Sequence, residues 1–273
     1  LGFCCLQLNQ RCSLFNPLPL SHKNRTDNAT FKVLYFLDFL KDYAALKGRK
    51  ILVHGGGKEA TQMAKKLGVS VEVIDGRRVT DANNLDIITM LYGGKLNKNI
   101  VAQLQALGCN SLGLSGADGN SVLAEKRPVK SIDFGFVGDL KEVNHSLFNL
   151  LLKEGISPVC CALSHDGRGQ LLNTNADTIA ATLASAMTPY YEVHLNYCFE
   201  KNGVLKDIND DDSIIPSINK MEYNHLKSKG ILHSGMLPKL HNCFIALKEG
   251  VKFVKIGSPK MITETGTYTQ IIN

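Results

Sequence analysis

Much of what this 273-residue chain lacks is informative. No run approaches the eighteen or so uncharged apolar residues of a helical membrane span, so no membrane segment is expected. The first residues, LGFCCLQLNQRCSLF, lack the basic n-region and long apolar core of a secretory signal. There is no C-x-x-C pair. The eight cysteines (Cys4, Cys5, Cys12, Cys109, Cys160, Cys161, Cys198 and Cys243) fall partly inside apolar, strand-like runs, which reads as reduced, buried thiols in a cytoplasmic protein. No long Lys/Arg run or aromatic-basic interleaving accompanies the modest net charge of +6, so a small acidic substrate is indicated and nucleic acid is not. His54, His165 and His233 show no metal-ligand spacing and read as structural or surface residues, so no protein metal site is expected.

What is present is 44% apolar residues, ample for a core, and one punctuated stretch around which the rest is arranged. Residues 51–60, ILVHGGGKEA, read as a short buried strand, a tight turn at Gly55, Gly56 and Gly57, and a helix from Lys58 to Leu67. The glycines permit torsions closed to other residues and leave no side chains in the way. An anion can then sit on bare N–H groups at the positive end of the helix. The turn matches neither G-x-G-x-x-G nor the P-loop, and taken alone it is equally a flexible connection.

Residues 1–30 show no clear period and carry Pro17 and Pro19; they read as an irregular segment. A helix is expected over residues 31–46, strands at 71–74, 111–114, 156–163 and 193–199, and a helix starting at Thr80 or Asp81 and ending near Tyr92. Hairpin material spans 122–143, and further helices are expected at 146–154, after Asn173, at 220–229 and after the GMLP turn. Strands alternating with helices, without a long internal repeat, give an α/β fold: an open αβα sandwich with a mainly parallel central sheet. Ligands of such sheets bind at the carboxyl ends of the strands, where the turns at Gly55, Asn173 and Gly203 can converge.

Five motifs in order, HGGG (54–57), GRRVTD (76–81), NTNAD (173–177), YCFEKNGVL (197–205) and SGMLPK (234–239), resemble the acetylglutamate kinases of the amino acid kinase family, from about residue 33 to the carboxyl end. The resemblance implies transfer of a phosphoryl group from ATP, with Mg2+, to the side-chain carboxylate of N-acetyl-L-glutamate, an arginine-biosynthesis step. It implies one amino acid kinase domain over residues 31–273, its first half binding the acylamino acid and its second half ATP, in a cytoplasmic homodimer or a hexamer of dimers. Residues 92–99 fall on a helix that the family often buries between subunits.

The resemblance also assigns roles. Gly56 and Gly57 offer N–H groups to the substrate and the moving phosphoryl group, Arg78 clamps a carboxylate, and Asn173 holds the amino-acid portion. Lys239 is the leading catalytic residue and also faces the nucleotide phosphates, Asp177 orients lysines, and Tyr197, Phe199 and Gly203 border the nucleotide. On spacing alone Arg78 reads as a surface arginine beside Arg77, Lys239 as a solvated lysine and Asp177 as a helix cap. Glu200, Asp207, Asp210, Asp211 and Asp212 read mainly as an acidic, solvated loop.

One expected part has no counterpart. The family's first strand ends in Lys-x-Gly-Gly, whereas the window before the glycine turn reads LPLSHKNRTDNATFKVL, whose Lys23 and Lys32 are not followed by glycine. Two explanations follow: a shifted start fused to an intact gene, or an impaired member with a weakened sheet centre. Besides the N-acetylglutamate kinase, the alternatives are a kinase for another N-acylglutamate, such as the N-succinyl form, and a ligand-binding relative without turnover.

Overall fold

The computed structural model describes residues 2–9, 28–74, 76–232, 236–263 and 265–273. In chain order the first half comprises β1 (Phe3–Asn9), α1 (Asn28–Ala45), β2 (Arg49–His54), α2 (Gly57–Lys66), β3 (Val73–Ile74), β4 (Arg77–Arg78), α3 (Ala82–Ile88), a π-helical stretch (Thr89–Leu96), α4 (Asn97–Ala106), β5 (Ser111–Leu114), β6 (Val122–Lys126) and β7 (Gly138–Val143). The second half comprises α5 (His145–Lys153), β8 (Ser157–Cys161), β9 (Leu163–His165), β10 (Leu171–Asn173), α6 (Ala176–Met187), β11 (Glu192–Cys198), β12 (Ser217–Ile218), α7 (Lys220–Ser228), α8 (Met236–Lys248), β13 (Phe253–Gly257) and β14 (Tyr268–Ile271).

Eight strands form one sheet in the order β12-β14-β13-β11-β1-β2-β8-β5. The pairs β5/β8, β2/β8 and β11/β13 are parallel, and β1 lies antiparallel to both β2 and β11. Thus β5, β8, β2, β11 and β13 all run one way, as the helical crossovers between them require. Their carboxyl ends lie along one edge. A smaller sheet, β10-β9-β6-β7, and the β3/β4 ribbon flank it.

The central strand corrects the reading of residues 1–30 as irregular. Residues 3–9 form β1, residues 28–30 already belong to α1, and 10–27 lie outside the described residues. The expected weakness at the sheet centre is therefore not found: Cys4, Leu6 and Leu8 enter the core on one face, while Phe3 and Cys5 enter that on the other. A strand buried on both faces shows little alternation, and here a glutamine and two cysteines dilute its apolar signal. Full burial of Leu6 and Leu8 stabilises by roughly 2 kcal/mol each.

One face of the sheet packs on α6 and α8 through Leu183, Met187, Leu240 and Cys243, and the other on α1 and α4 through Phe39, Tyr43, Ile100 and Leu104. This is the expected αβα sandwich. The helix expected to end near Tyr92 instead continues, by way of the π-helical stretch, into α4. Asp81 is its N-cap, accepting from the Asn84 N–H at 2.7 Å. The expected 156–163 strand divides into β8 and β9, which belong to different sheets.

Candidate active site

The site begins where β2 ends. The N–H of Gly55 donates to the carbonyl of Gly2 at 3.2 Å, which ties the glycine turn to the start of β1. None of Gly55, Gly56 and Gly57 adopts the left-handed conformation that favours glycine, Gly56 having an extended φ of 175°, so the expectation that they need such torsions is not met. The steric part holds: a Cβ on Gly56 would lie 2.6 Å from Leu96 Cδ1 and 2.7 Å from Tyr92 Cε1. Glycine is required because the π-helical stretch packs directly on the turn. α2 starts there without a side-chain cap, so the N–H groups of its first turn remain available to an anion.

His54 holds the turn from below and is fully buried. Its Nδ1–H donates to the Gly55 carbonyl at 2.9 Å, and its Nε2 accepts from Asn97 Nδ2 at 3.1 Å. The same amide donates to the Val159 carbonyl at 2.9 Å. Burial depresses the imidazole to a pKa of about 4, only partly offset by the Gly55 carbonyl, so the ring is neutral and this tautomer is fixed. The structural role expected for His54 is the one found, whereas Asn97 carried no signal in the sequence. His165 accepts from the Gly167 N–H within its own loop, and His233 lies outside the described residues.

Arg78, on the β3/β4 ribbon, reaches over the turn: its Nη2 donates to the Gly57 carbonyl at 3.0 Å and to Thr61 Oγ1 at 2.6 Å. Asn173, at the end of β10, donates from Nδ2 to Thr80 Oγ1 at 2.9 Å. The first residue of α6, Ala176, lies against Gly55, whose added Cβ would be 3.6 Å from the Ala176 Cβ. The GRRVTD and NTNAD segments thus meet at the glycine turn.

Asp177 is not the cap of α6. Asn175 fills that position, accepting from the Thr178 N–H at 3.1 Å, which leaves the Asp177 carboxylate in the first turn, where the helix dipole favours it. One of its oxygens lies 2.7 Å from Lys239 Nζ in the first turn of α8. The other accepts from the Cys4 thiol at 3.5 Å. Lys239 is only 15% exposed at its side chain, and its ammonium lies 4.7 Å from the centre of the Tyr197 ring. Burial acts to lower the Lys239 pKa, but the Asp177 carboxylate outweighs it and the net shift is upward. Lys239 is thus a fixed cation, not a solvated lysine.

Tyr197 is fully buried beneath this pair and donates from its hydroxyl to the Asp177 backbone carbonyl at 3.0 Å. Its place is under Lys239 rather than at a nucleotide-facing surface. Phe199 and Gly203 line a narrow apolar cleft of about 30 Å³ with Leu205, Ile231 and Met236. A Cβ on Gly203 would lie 2.6 Å from Ile214 Cγ2, so glycine there permits close packing. The opening residues of SGMLPK, Ser234 and Gly235, lie outside the described residues.

Lys58, one residue into α2, bridges to Glu200 after β11 at 2.7 Å, spanning the glycine turn and the cleft side of the edge. Asp207 and Asp210 accept from the N–H groups of Asn209 and Asp212, and Asp211 pairs with Lys201 at 2.5 Å. The acidic loop is therefore committed largely to its own turns. Among the described residues no group of three or more His, Cys, Asp or Glu is placed to hold a metal ion. A larger cavity of about 260 Å³ lies at the opposite edge of the sheet, beside Arg49, Lys50 and Ser157, away from this chemistry.

Residues 21–258 match the amino acid kinase family. The chain is 53% identical over 227 residues to an acetylglutamate kinase of Cytophaga hutchinsonii, covering 83% of this chain and 86% of that one. It is 52% identical over 220 residues to an acetylglutamate kinase of Bacteroides thetaiotaomicron, covering 81% and 86%. Among solved structures, smu.665 of Streptococcus mutans shares the fold with a TM-score of 0.71 at 24% identity, covering 85% of this chain and 91% of that one. Carbamate kinase of Giardia lamblia bound to AMP-PNP has a TM-score of 0.62 at 13% identity, covering 93% and 94%. The chain belongs to the amino acid kinase family.

Proposed function

We propose that this chain phosphorylates the side-chain carboxylate of N-acetyl-L-glutamate with ATP, producing the acyl phosphate N-acetyl-L-glutamyl 5-phosphate in arginine biosynthesis. The 53% identity to a protein of that name supports the substrate, and the Lys239–Asp177 pair beside the glycine turn supports the reaction. One carboxylate oxygen bonds to the γ-phosphorus as the bond to the β,γ-bridging oxygen breaks and ADP leaves. A glutamate side chain with a pKa of about 4.3 is already ionised at neutral pH, so no general base is needed. The task is to bring two anions together and to hold positive charge where negative charge develops.

The residues divide that task. The N–H groups of Gly56 and Gly57 receive the substrate carboxylate and the moving phosphoryl group. Arg78, whose Nε and Nη1 have no hydrogen-bond partner among the described residues, clamps the other substrate carboxylate, and Asn173 holds the amino-acid portion. Lys239 offsets charge on the leaving phosphate, with Asp177 and Tyr197 keeping its ammonium in place. Phe199 and Gly203 border the nucleotide.

Magnesium would arrive on the phosphates of ATP, which suits a site whose described residues hold no ligand cluster; when bound, it neutralises phosphate charge. The amino-terminal half of the domain, which includes β1 at the centre of its sheet, binds the acylamino acid, and the carboxyl-terminal half binds ATP. Among the described residues no helix is long and apolar enough to cross a membrane, and the reading places the enzyme in the cytoplasm. It acts as a homodimer through the outer side of the 82–106 helix, where Met90 is 62% exposed.

The test is ADP release by the purified chain with magnesium ATP. Release that requires N-acetyl-L-glutamate, and is slower with the N-succinyl compound, supports the assignment. Release that does not depend on the acylamino acid refutes it.

A further inference from the structure

Tyr92 lies on the inner side of the π-helical stretch with its ring against Gly56 and its hydroxyl over Gly57, where an added Cβ would be 4.0 Å from the phenol oxygen. Residues 92–99 lie on the helix that the resemblance places between subunits; Tyr92 itself turns inward and is only 5% exposed. Among the described residues its hydroxyl makes no hydrogen bond, and it is not one of the fully enclosed polar atoms left unpaired, so its oxygen keeps some access to solvent. A hydroxyl on an otherwise buried ring, without a protein partner, is free to donate to water or to a ligand. A π turn within a helix also recurs at functional sites.

The surroundings narrow the missing partner. Arg78 anchors at the Gly57 carbonyl, under the same hydroxyl, and both Arg78 and Glu59 act electrostatically on the phenol. Burial pushes the phenol up to about 12 while Arg78 pulls it down, so at neutral pH Tyr92 is a neutral donor. A donor beside an arginine and uncapped helix N–H groups suits an oxygen acceptor on a bound anion.

We propose that Tyr92 is a substrate-binding residue whose hydroxyl donates a hydrogen bond to an oxygen of the N-acylated acidic amino acid held between the glycine turn and Arg78. The inference rests on the substrate assignment made above. Phenylalanine would fill the space against Gly56 equally well, so the hydroxyl is what recognises the substrate.

The experiment compares wild type, Tyr92→Phe and Tyr92→Leu by steady-state kinetics and by calorimetric titration with N-acetyl-L-glutamate and, separately, with ATP. Both variants should raise KM and Kd for N-acetyl-L-glutamate about tenfold or more, while KM for ATP and the thermal midpoint of Tyr92→Phe stay at wild-type values. Unchanged affinity for N-acetyl-L-glutamate in Tyr92→Phe overturns the proposal, as does an equal shift for ATP. Loss in Tyr92→Leu alone also overturns it, because packing of the ring would then be the cause. If wild type neither binds nor phosphorylates N-acetyl-L-glutamate, the substrate assignment falls and takes this proposal with it. If wild type does both and Tyr92→Phe matches it, only the role of Tyr92 falls.

Discussion

The Asp177 carboxylate is shared between two elements far apart in sequence: one oxygen lies 2.7 Å from Lys239 Nζ at the start of α8, and the other accepts from the Cys4 thiol of β1 at 3.5 Å. The pair sits over the buried Tyr197 ring, so charge, position and packing of the cation are fixed together. Removing Lys239 with alanine leaves a largely buried carboxylate without its cation. Lys239→Ala should reduce kcat by about 100-fold or more and destabilise the fold by about 3 kcal/mol, read from initial rates and urea unfolding.

The same pair fixes a pH dependence at the alkaline end. The folded-state pKa of Lys239 is raised above its unfolded value, so its contribution to stability is fully present below the unfolded pKa of about 10.4 and is lost as pH rises through the folded value. Urea midpoints should fall above about pH 10.5 in wild type, and less steeply in an Asp177→Asn background.

His54 acts at the acidic end with the opposite sign. Its folded pKa of about 4 lies below an unfolded value near 6.5, so only the unfolded state gains a proton as pH falls between them. Stability should therefore drop by roughly 3 kcal/mol between pH 7 and pH 4, and His54→Gln should flatten that slope. Parallel slopes for the two proteins would remove His54 from the account.

Element order and much of the site were legible in the sequence because strand–turn–helix punctuation is local. The glycine turn, Arg78, Asn173, Asp177 and Lys239 all lie where a short motif marks a strand end or a helix start. β1 was not legible, because its seven residues are stabilised by pairing with β2 and β11, up to 195 positions away in the Phe3–Cys198 partnership. The sequence reads glycine at position 56 as serving torsion and open space for an anion, whereas it is close packing by Tyr92 and Leu96 that imposes it; that contact depends on the helix at 82–106 staying continuous. Asn97 and Tyr92 each read as an ordinary helix residue until the fold brings them under and over the turn.

Because β1 is held on both faces, truncating it should be felt globally. Leu6→Ala should cost about 2–5 kcal/mol, and the amides of β1 should exchange only through global unfolding. Rapid exchange of those amides in the native protein would contradict the central strand.

Gly56→Ala places a methyl within van der Waals overlap of Tyr92 and Leu96. It should destabilise by about 1–3 kcal/mol and lower kcat/KM, while Gly56→Ala with Leu96→Ala should recover part of the stability. No recovery would show that the methyl is not relieved at Leu96.

The most direct measurement is acyl phosphate formation, trapped as the hydroxamate with hydroxylamine, from magnesium ATP and N-acetyl-L-glutamate by wild type and by Lys239→Ala. The account predicts hydroxamate from wild type that depends on both substrates and falls about 100-fold or more in Lys239→Ala. No hydroxamate from folded wild-type protein, or equal yields from the two proteins, would contradict it.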